Sequence, residues 1–226
     1  MHAPILPDAR TDGCAVPSAV RKITTLDEAA KEFAAHGTPR LLAAGLVLVG
    51  GYRVAGDSWG WTDLLVAVAL VGLQPFTEWA VHVFVLHCPA DGSRRDQLVG
   101  YAHRRHHEDP RDLRWQFLHP TGTAVGLGLF ALLMLLARSS HVVSGVLTAV
   151  ALTAWCEWLH LLIHTDHAPR SGVYRRIHQA HRLHHFCNEQ YWLGVTSRLG
   201  DKVLGTNPDK TEIEVSPTAR TALATR

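Results

Sequence analysis

The chain has 226 residues, enough for one domain with a substantial core and hardly for two. Its 22 basic and 20 acidic residues leave a formal charge of +2, which argues against a nucleic-acid partner. Charged residues make up 19% and the mean hydropathy is +0.03, apolar for a soluble protein and mild for a membrane protein.

Residues 1–37 contain no apolar run that would serve as a secretory signal and are expected to form an N-terminal cytosolic segment. Within it Thr25 and Glu28 have the spacing of a capping box that opens a short amphipathic helix, which Gly37 can close. Four apolar segments follow. Residues 41–55 are interrupted by Gly50 and Gly51, and residues 64–86 carry Gln74, Pro75, Glu78 and His82. Residues 121–137 are uninterrupted, as are residues 142–163 up to Glu157 and His160. A membrane-spanning helix takes roughly 20 apolar residues, so two segments are clear candidates and two are borderline. The positive-inside rule gives them one orientation. Arg21, Lys22, Lys31 and Arg40 hold the N-terminus in the cytosol, and residues 94–114 return there with Arg94, Arg95, Arg104 and Arg105. Residues 57–61 and 138–141 fall outside, and everything after His164 is cytosolic. The expected organisation is a segment 1–37, a membrane domain 38–206 and a polar, weakly ordered tail 207–226. The four cysteines, Cys14, Cys88, Cys156 and Cys187, form no CxxC pair and read as free thiols.

Histidine is the anomaly of the composition, with 16 residues gathered mostly in four short stretches. His103, His106 and His107 stand at i, i+3 and i+4, on one side of a helix, and His181, His184 and His185 repeat that spacing. His160 and His164 are four apart at the inner end of the last apolar segment. His82 and His87 are five apart, about 140° around an ideal helix. Either the helix is distorted there or the two rings reach different metals. In the predicted topology all ten lie on one side of the membrane. Ten imidazoles exceed what one ion binds, whereas two ions divide them comfortably. Neutral imidazole also brings no charge of its own into an apolar setting. Glu78 and Glu157, each close to one of these pairs, are candidate catalytic carboxylates, either accepting from ligand N–H groups or bridging the metals. Val81, Val83, Phe84, Leu161 and Leu162 are candidates to wall an apolar channel. His167 and His178 flank the site, whereas His2, His36, His119 and His141 look incidental.

The order HxxxxH, HxxHH, HxxxH, HxxHH resembles the fatty acid hydroxylase branch of the fatty acid hydroxylase / sterol desaturase superfamily. The closing segment Asp201, Gly205 and Thr206 resembles that family's D-x-x-x-G-T, so the likeness covers about residues 64–206. It implies an all-α, integral-membrane four-helix bundle with a cytosolic helical cap that holds two iron ions, or zinc in isolated protein, on the ten histidines. It further implies dioxygen as co-substrate and hydroxylation of an acyl or lipid-like substrate at an unactivated C–H bond. Neither the length nor the motif of a fused haem donor is present, so a separate ferredoxin/reductase-type electron donor is expected. A desaturase, a carotenoid hydroxylase or an N-oxygenase uses a similar centre. Outside enzymes the alternative is a membrane metal carrier or sensor, which the gathering of ligands on one face disfavours.

Overall fold

In the computed structural model, residues 23–56 and 59–219 are described, and they are all-helical. His2, Cys14, Arg21 and Lys22 lie outside the described residues.

Helix α1 (Leu26–Ala35) starts as its sequence predicts. The Thr25 hydroxyl accepts from the Glu28 N–H at 3.2 Å, and the Glu28 carboxylate accepts from the Thr25 N–H at 3.1 Å. Its end differs from expectation. His36 adopts an extended backbone, and Gly37 opens helix α2 (Gly37–Ala55), which leaves α1 at 90°. Thr38, buried at this corner, donates to the Leu118 carbonyl at 2.5 Å and ties the start of α2 to the entry of a later helix. Ala29 of α1 is fully buried against Ile23, Phe117 and Leu161, so α1 is seated on the histidine-rich end of the molecule.

The long apolar helices are α3 (Trp61–Val81), continued by a π-helical turn over His82–Leu86, then α5 (Pro120–Ala137) and α6 (Ser140–Ile163). These three are long and apolar enough to cross a membrane, and α1 with α2 forms a bent fourth candidate. Helix α6 is the central post and packs against α2, α3 and α5. Leu42, Val146 and Val150 form the buried contact between α2 and α6. By contrast α5 buries no residue, and Leu129, Leu135 and Leu136 lie exposed along it, as suits a helix bathed in lipid.

One end of the bundle is closed by a polar clamp. Arg53 of α2 pairs with Asp63 of α3 at 3.0 Å and donates to Ser144 of α6 at 2.7 Å, and Ser144 in turn donates to Asp63 at 2.7 Å. His141 reaches the same carboxylate at 3.2 Å, so it is part of this clamp and not incidental. The opposite end carries the cap: α4 (Tyr101–Glu108), entered through a π-helical turn over Asp96–Gly100, then α7 (Gly172–Phe186) and the short α8 (Leu199–Leu204).

Two expectations fail here. Cys88 and Cys156 are free thiols, but Cys187 is disulfide-bonded. The described part of the tail is anchored and not loose. The Ser216 N–H donates to the Cys187 carbonyl at 2.8 Å, Asn188 donates to the Glu214 carbonyl at 3.1 Å, and Ala219 is buried. Polar composition alone does not show this, because two of these bonds engage backbone groups of the tail, which no residue type announces.

Candidate metal centre

All ten histidines singled out by spacing converge in the cap, and they fall into two groups of five. The first contains His82, His87, His103, His107 and His184, and the second His106, His160, His164, His181 and His185. Within each group the candidate ligand nitrogens all lie within 4.8 Å of one another. Local structure explains the convergence. At the end of α3 the His87 N–H reaches back to the His82 carbonyl at 3.0 Å, an i to i+5 bond. The widened turn swings His87 towards His82, leaving their ring centroids 4.9 Å apart. Distortion of the helix is therefore the correct one of the two alternatives left by the spacing.

Each HxxHH triplet is shared between the groups. His103 and His107 of α4 enter the first group and His106 the second, whereas α7 sends His184 to the first and His181 and His185 to the second. The groups adjoin, with His107 of one stacked on His185 of the other at 4.3 Å between centroids. The contacts within groups are Nε2 to Nε2. His103 lies 3.1 Å from His82, His87 and His107, and His106 lies 3.1 Å from His160. Two imidazoles bound at right angles to one ion, with bonds of about 2.1 Å, would stand about 3.0 Å apart. The donor set therefore fits two nitrogen-bound transition metals.

Burial sets the charge state. His103, His106, His107, His181, His184 and His185 have their ionisation pushed well below the ordinary imidazole value, first by desolvation and then by neighbouring histidines. His164 follows the same pattern, and burial lowers the half-buried His87 to about 4. Neutral rings keep a lone pair for a metal. Backbone carbonyls fix two ring orientations. Nδ1 of His82 donates to the Leu193 carbonyl at 2.6 Å, and Nδ1 of His184 donates to that of Tyr191 at 2.8 Å.

The two carboxylates sit next to the centre, but their hydrogen-bond donors are other groups. Glu78 accepts from the Val195 N–H at 3.3 Å, from the Thr196 N–H at 3.0 Å and hydroxyl at 2.5 Å, and from Gln74 at 3.0 Å. Glu157 accepts from the Leu118 N–H at 3.3 Å. Neither bonds a histidine N–H among the described residues. Both face a cavity of about 470 Å³ whose wall includes His82 and His103 of the first group and His160 and His181 of the second. This cavity shares Val81, Gly126 and Phe130 with an adjoining apolar one of about 250 Å³ between the long helices. Of the five residues expected to wall a channel only Val81 does so. Phe84 is exposed, and Leu161 and Leu162 are packed into the core under α1. Gln116, buried in the same wall, carried no sequence signal. His167 bonds the Thr24 carbonyl at 3.1 Å and His178 stands by Tyr174, so neither joins the groups.

The profile of the family described as "Fatty acid hydroxylase" matches residues 67–206, more than half of the chain. The chain belongs to the fatty acid hydroxylase family. It is similar to the protein described as "Dihydroceramide fatty acyl 2-hydroxylase FAH2" from Arabidopsis thaliana, with 29% identity over 135 residues. That match covers 58% of this chain and 55% of the relative, so the chain spans little more than half the relative's length. A solved structure described as "Full length scs7p (only hydroxylase domain visible)" has the same fold. Its TM-score is 0.63 at 21% identity, over 79% of this chain and 68% of that one.

Proposed function

We propose that this member of the fatty acid hydroxylase family is a membrane di-iron oxygenase that hydroxylates an acyl or lipid-like substrate. The observation that carries the reading is the cavity, apolar along most of its wall and lined at one place by histidines of both five-membered groups. His82, His87, His103, His107 and His184 would hold one ion, and His106, His160, His164, His181 and His185 the other. Five imidazoles leave a six-coordinate ion one position for a small ligand. Bound iron would supply the redox chemistry that activates dioxygen. The overall balance is R–H + O2 + 2 e⁻ + 2 H⁺ → R–OH + H2O, with both electrons delivered by a separate ferredoxin- or flavoprotein-type donor. The chain's own contribution is to hold ten neutral rings in register, to keep water from the apolar cavity, and to lay an acyl chain along Val81 and Phe130. Glu78 and Glu157, in the cavity wall, offset part of the positive charge of two ions. The proposed orientation places the histidine-rich cap on the cytosolic side, where the donor and its electrons are available.

The test is a reaction of iron-loaded, detergent-purified protein with saturated acyl substrates, a ferredoxin/reductase donor and ¹⁸O2, read by mass spectrometry. One ¹⁸O atom in the product is the expected result. Loss of two hydrogens without oxygen would assign a desaturase instead. Two bound metals with no dioxygen uptake on any acyl substrate would move the carrier or sensor reading forward.

A further inference from the structure

The loop that follows α7 is shaped by a carboxylate far from the histidines in sequence. Asp201, fully buried, accepts three hydrogen bonds: from the Leu193 N–H at 2.8 Å, the Gly194 N–H at 2.8 Å and the Thr206 hydroxyl at 2.7 Å. The same loop holds Trp192, buried, with a φ of +55°, a left-handed conformation that persists in a non-glycine residue only where the surroundings impose it. Its N–H is taken by the Thr206 carbonyl at 2.8 Å. Held in this way, the loop turns two successive outward carbonyls, those of Tyr191 and Leu193, onto Nδ1 of His184 and Nδ1 of His82.

Both of those rings belong to the first histidine group. Among the described residues, Nδ1 of His106, His181 and His185 in the second group bonds no carbonyl of this loop. The loop thus orients rings of the first group and not those of the second. We infer that Asp201 is a positioning residue for the first group alone, so that the two metal sites can be perturbed separately. This rests on the dimetal reading above. An Nδ1–H held by a carbonyl fixes the tautomer, leaving the Nε2 lone pair for the ion, and raises its basicity. In Asp201→Asn the amide nitrogen must replace one acceptor oxygen, so at least one of the three donors meets another donor. The loop then loses its reason to hold Trp192 in the left-handed region, and the Leu193 carbonyl drifts from His82.

Cobalt(II) is the probe, titrated into metal-free protein and followed by bound equivalents and by visible absorption, which reports the ligand geometry of each site. In wild type two equivalents should bind. In Asp201→Asn one equivalent should bind as before while the other weakens 10- to 100-fold, the range for lost outer-shell partners, with its absorption band shifted. Two unchanged affinities, or equal weakening of both, would overturn the inference. Thr206→Val, which removes one of the three bonds and also the bond that the Thr206 hydroxyl accepts from Trp79 Nε1–H at 2.9 Å, should weaken the same equivalent by less. It serves as the test variant if Asp201→Asn does not fold. Wild type that binds fewer than two equivalents would overturn the dimetal reading itself, and this inference with it.

Discussion

Gly200 supplies a direct test of how the cap is seated on the membrane helices. It lies in α8 one residue before Asp201, where α8 meets α3. A Cβ at position 200 would stand 2.3 Å from the Pro75 carbonyl oxygen, 3.0 Å from the Pro75 carbonyl carbon and 3.3 Å from Cβ of Trp79. An ordinary carbon–oxygen contact is about 3.4 Å, so Gly200→Ala forces α8 and α3 apart by roughly 1 Å, against backbone that cannot rotate away. Overpacking of this kind costs about 1–3 kcal/mol. At roughly 2–4 °C per kcal/mol for a chain of this size, the unfolding midpoint should fall by about 2–12 °C. Because the displaced helix carries Asp201, catalytic geometry should suffer too, and a misplacement of about 1 Å can cost about 100-fold in turnover. The control is Gly128→Ala in α5, where nothing lies within 4 Å of the added atom. There the better helix propensity of alanine should leave the midpoint unchanged or raise it slightly. The assay is tryptophan fluorescence on heating in detergent, with metal content measured on the same samples. A Gly200→Ala protein as stable and as fully metallated as the Gly128→Ala control would refute the close seating of α8 on α3.

The division of each triplet predicts contrasting double variants. His103→Ala with His107→Ala removes two of the proposed ligands from one group and should leave one ion of two by elemental analysis. His103→Ala with His106→Ala removes one proposed ligand from each group and should weaken both ions together. Gly126→Leu, at a position bordering both cavities with nothing within 4 Å of its Cβ, should shift turnover towards acyl chains shorter by several carbons without changing metal content. Unchanged turnover of long chains would mean that the substrate lies elsewhere.

The membrane helices and the ten histidines were legible because both signals are local. Uninterrupted apolar runs mark α5 and α6, and ring spacing marks α4 and α7. Non-local and backbone effects are the ones that sequence hides. Gly37 had the composition of a helix stop, yet it opens α2, because the corner is fixed by Thr38 bonding the Leu118 carbonyl 80 residues away. The neighbours of the histidines in sequence suggest a channel wall that the fold does not build from them. Leu161 and Leu162 are indeed apolar and adjacent, but the α1 helix covers them.

The pairing of histidines shows where legibility ends within a single site. On an ideal α-helix residues four apart differ by about 40°, whereas residues three apart differ by about 60° in the opposite sense. His103 with His107, His181 with His185 and His160 with His164 are all four apart, and each pair serves one group. The i+3 member of each triplet, His106 or His184, is rotated to the other side and joins the neighbouring group. That much follows from helical geometry. The pair His82 and His87 breaks the rule, and only the i to i+5 bond of a π-turn restores it, by making five residues close to a full turn. Nothing in the residues from Val83 to Leu86 announces that bond. Its cause is tertiary: His82 must meet the Leu193 carbonyl while His87 reaches His103, and an α-helical register would separate the two rings by about 140°.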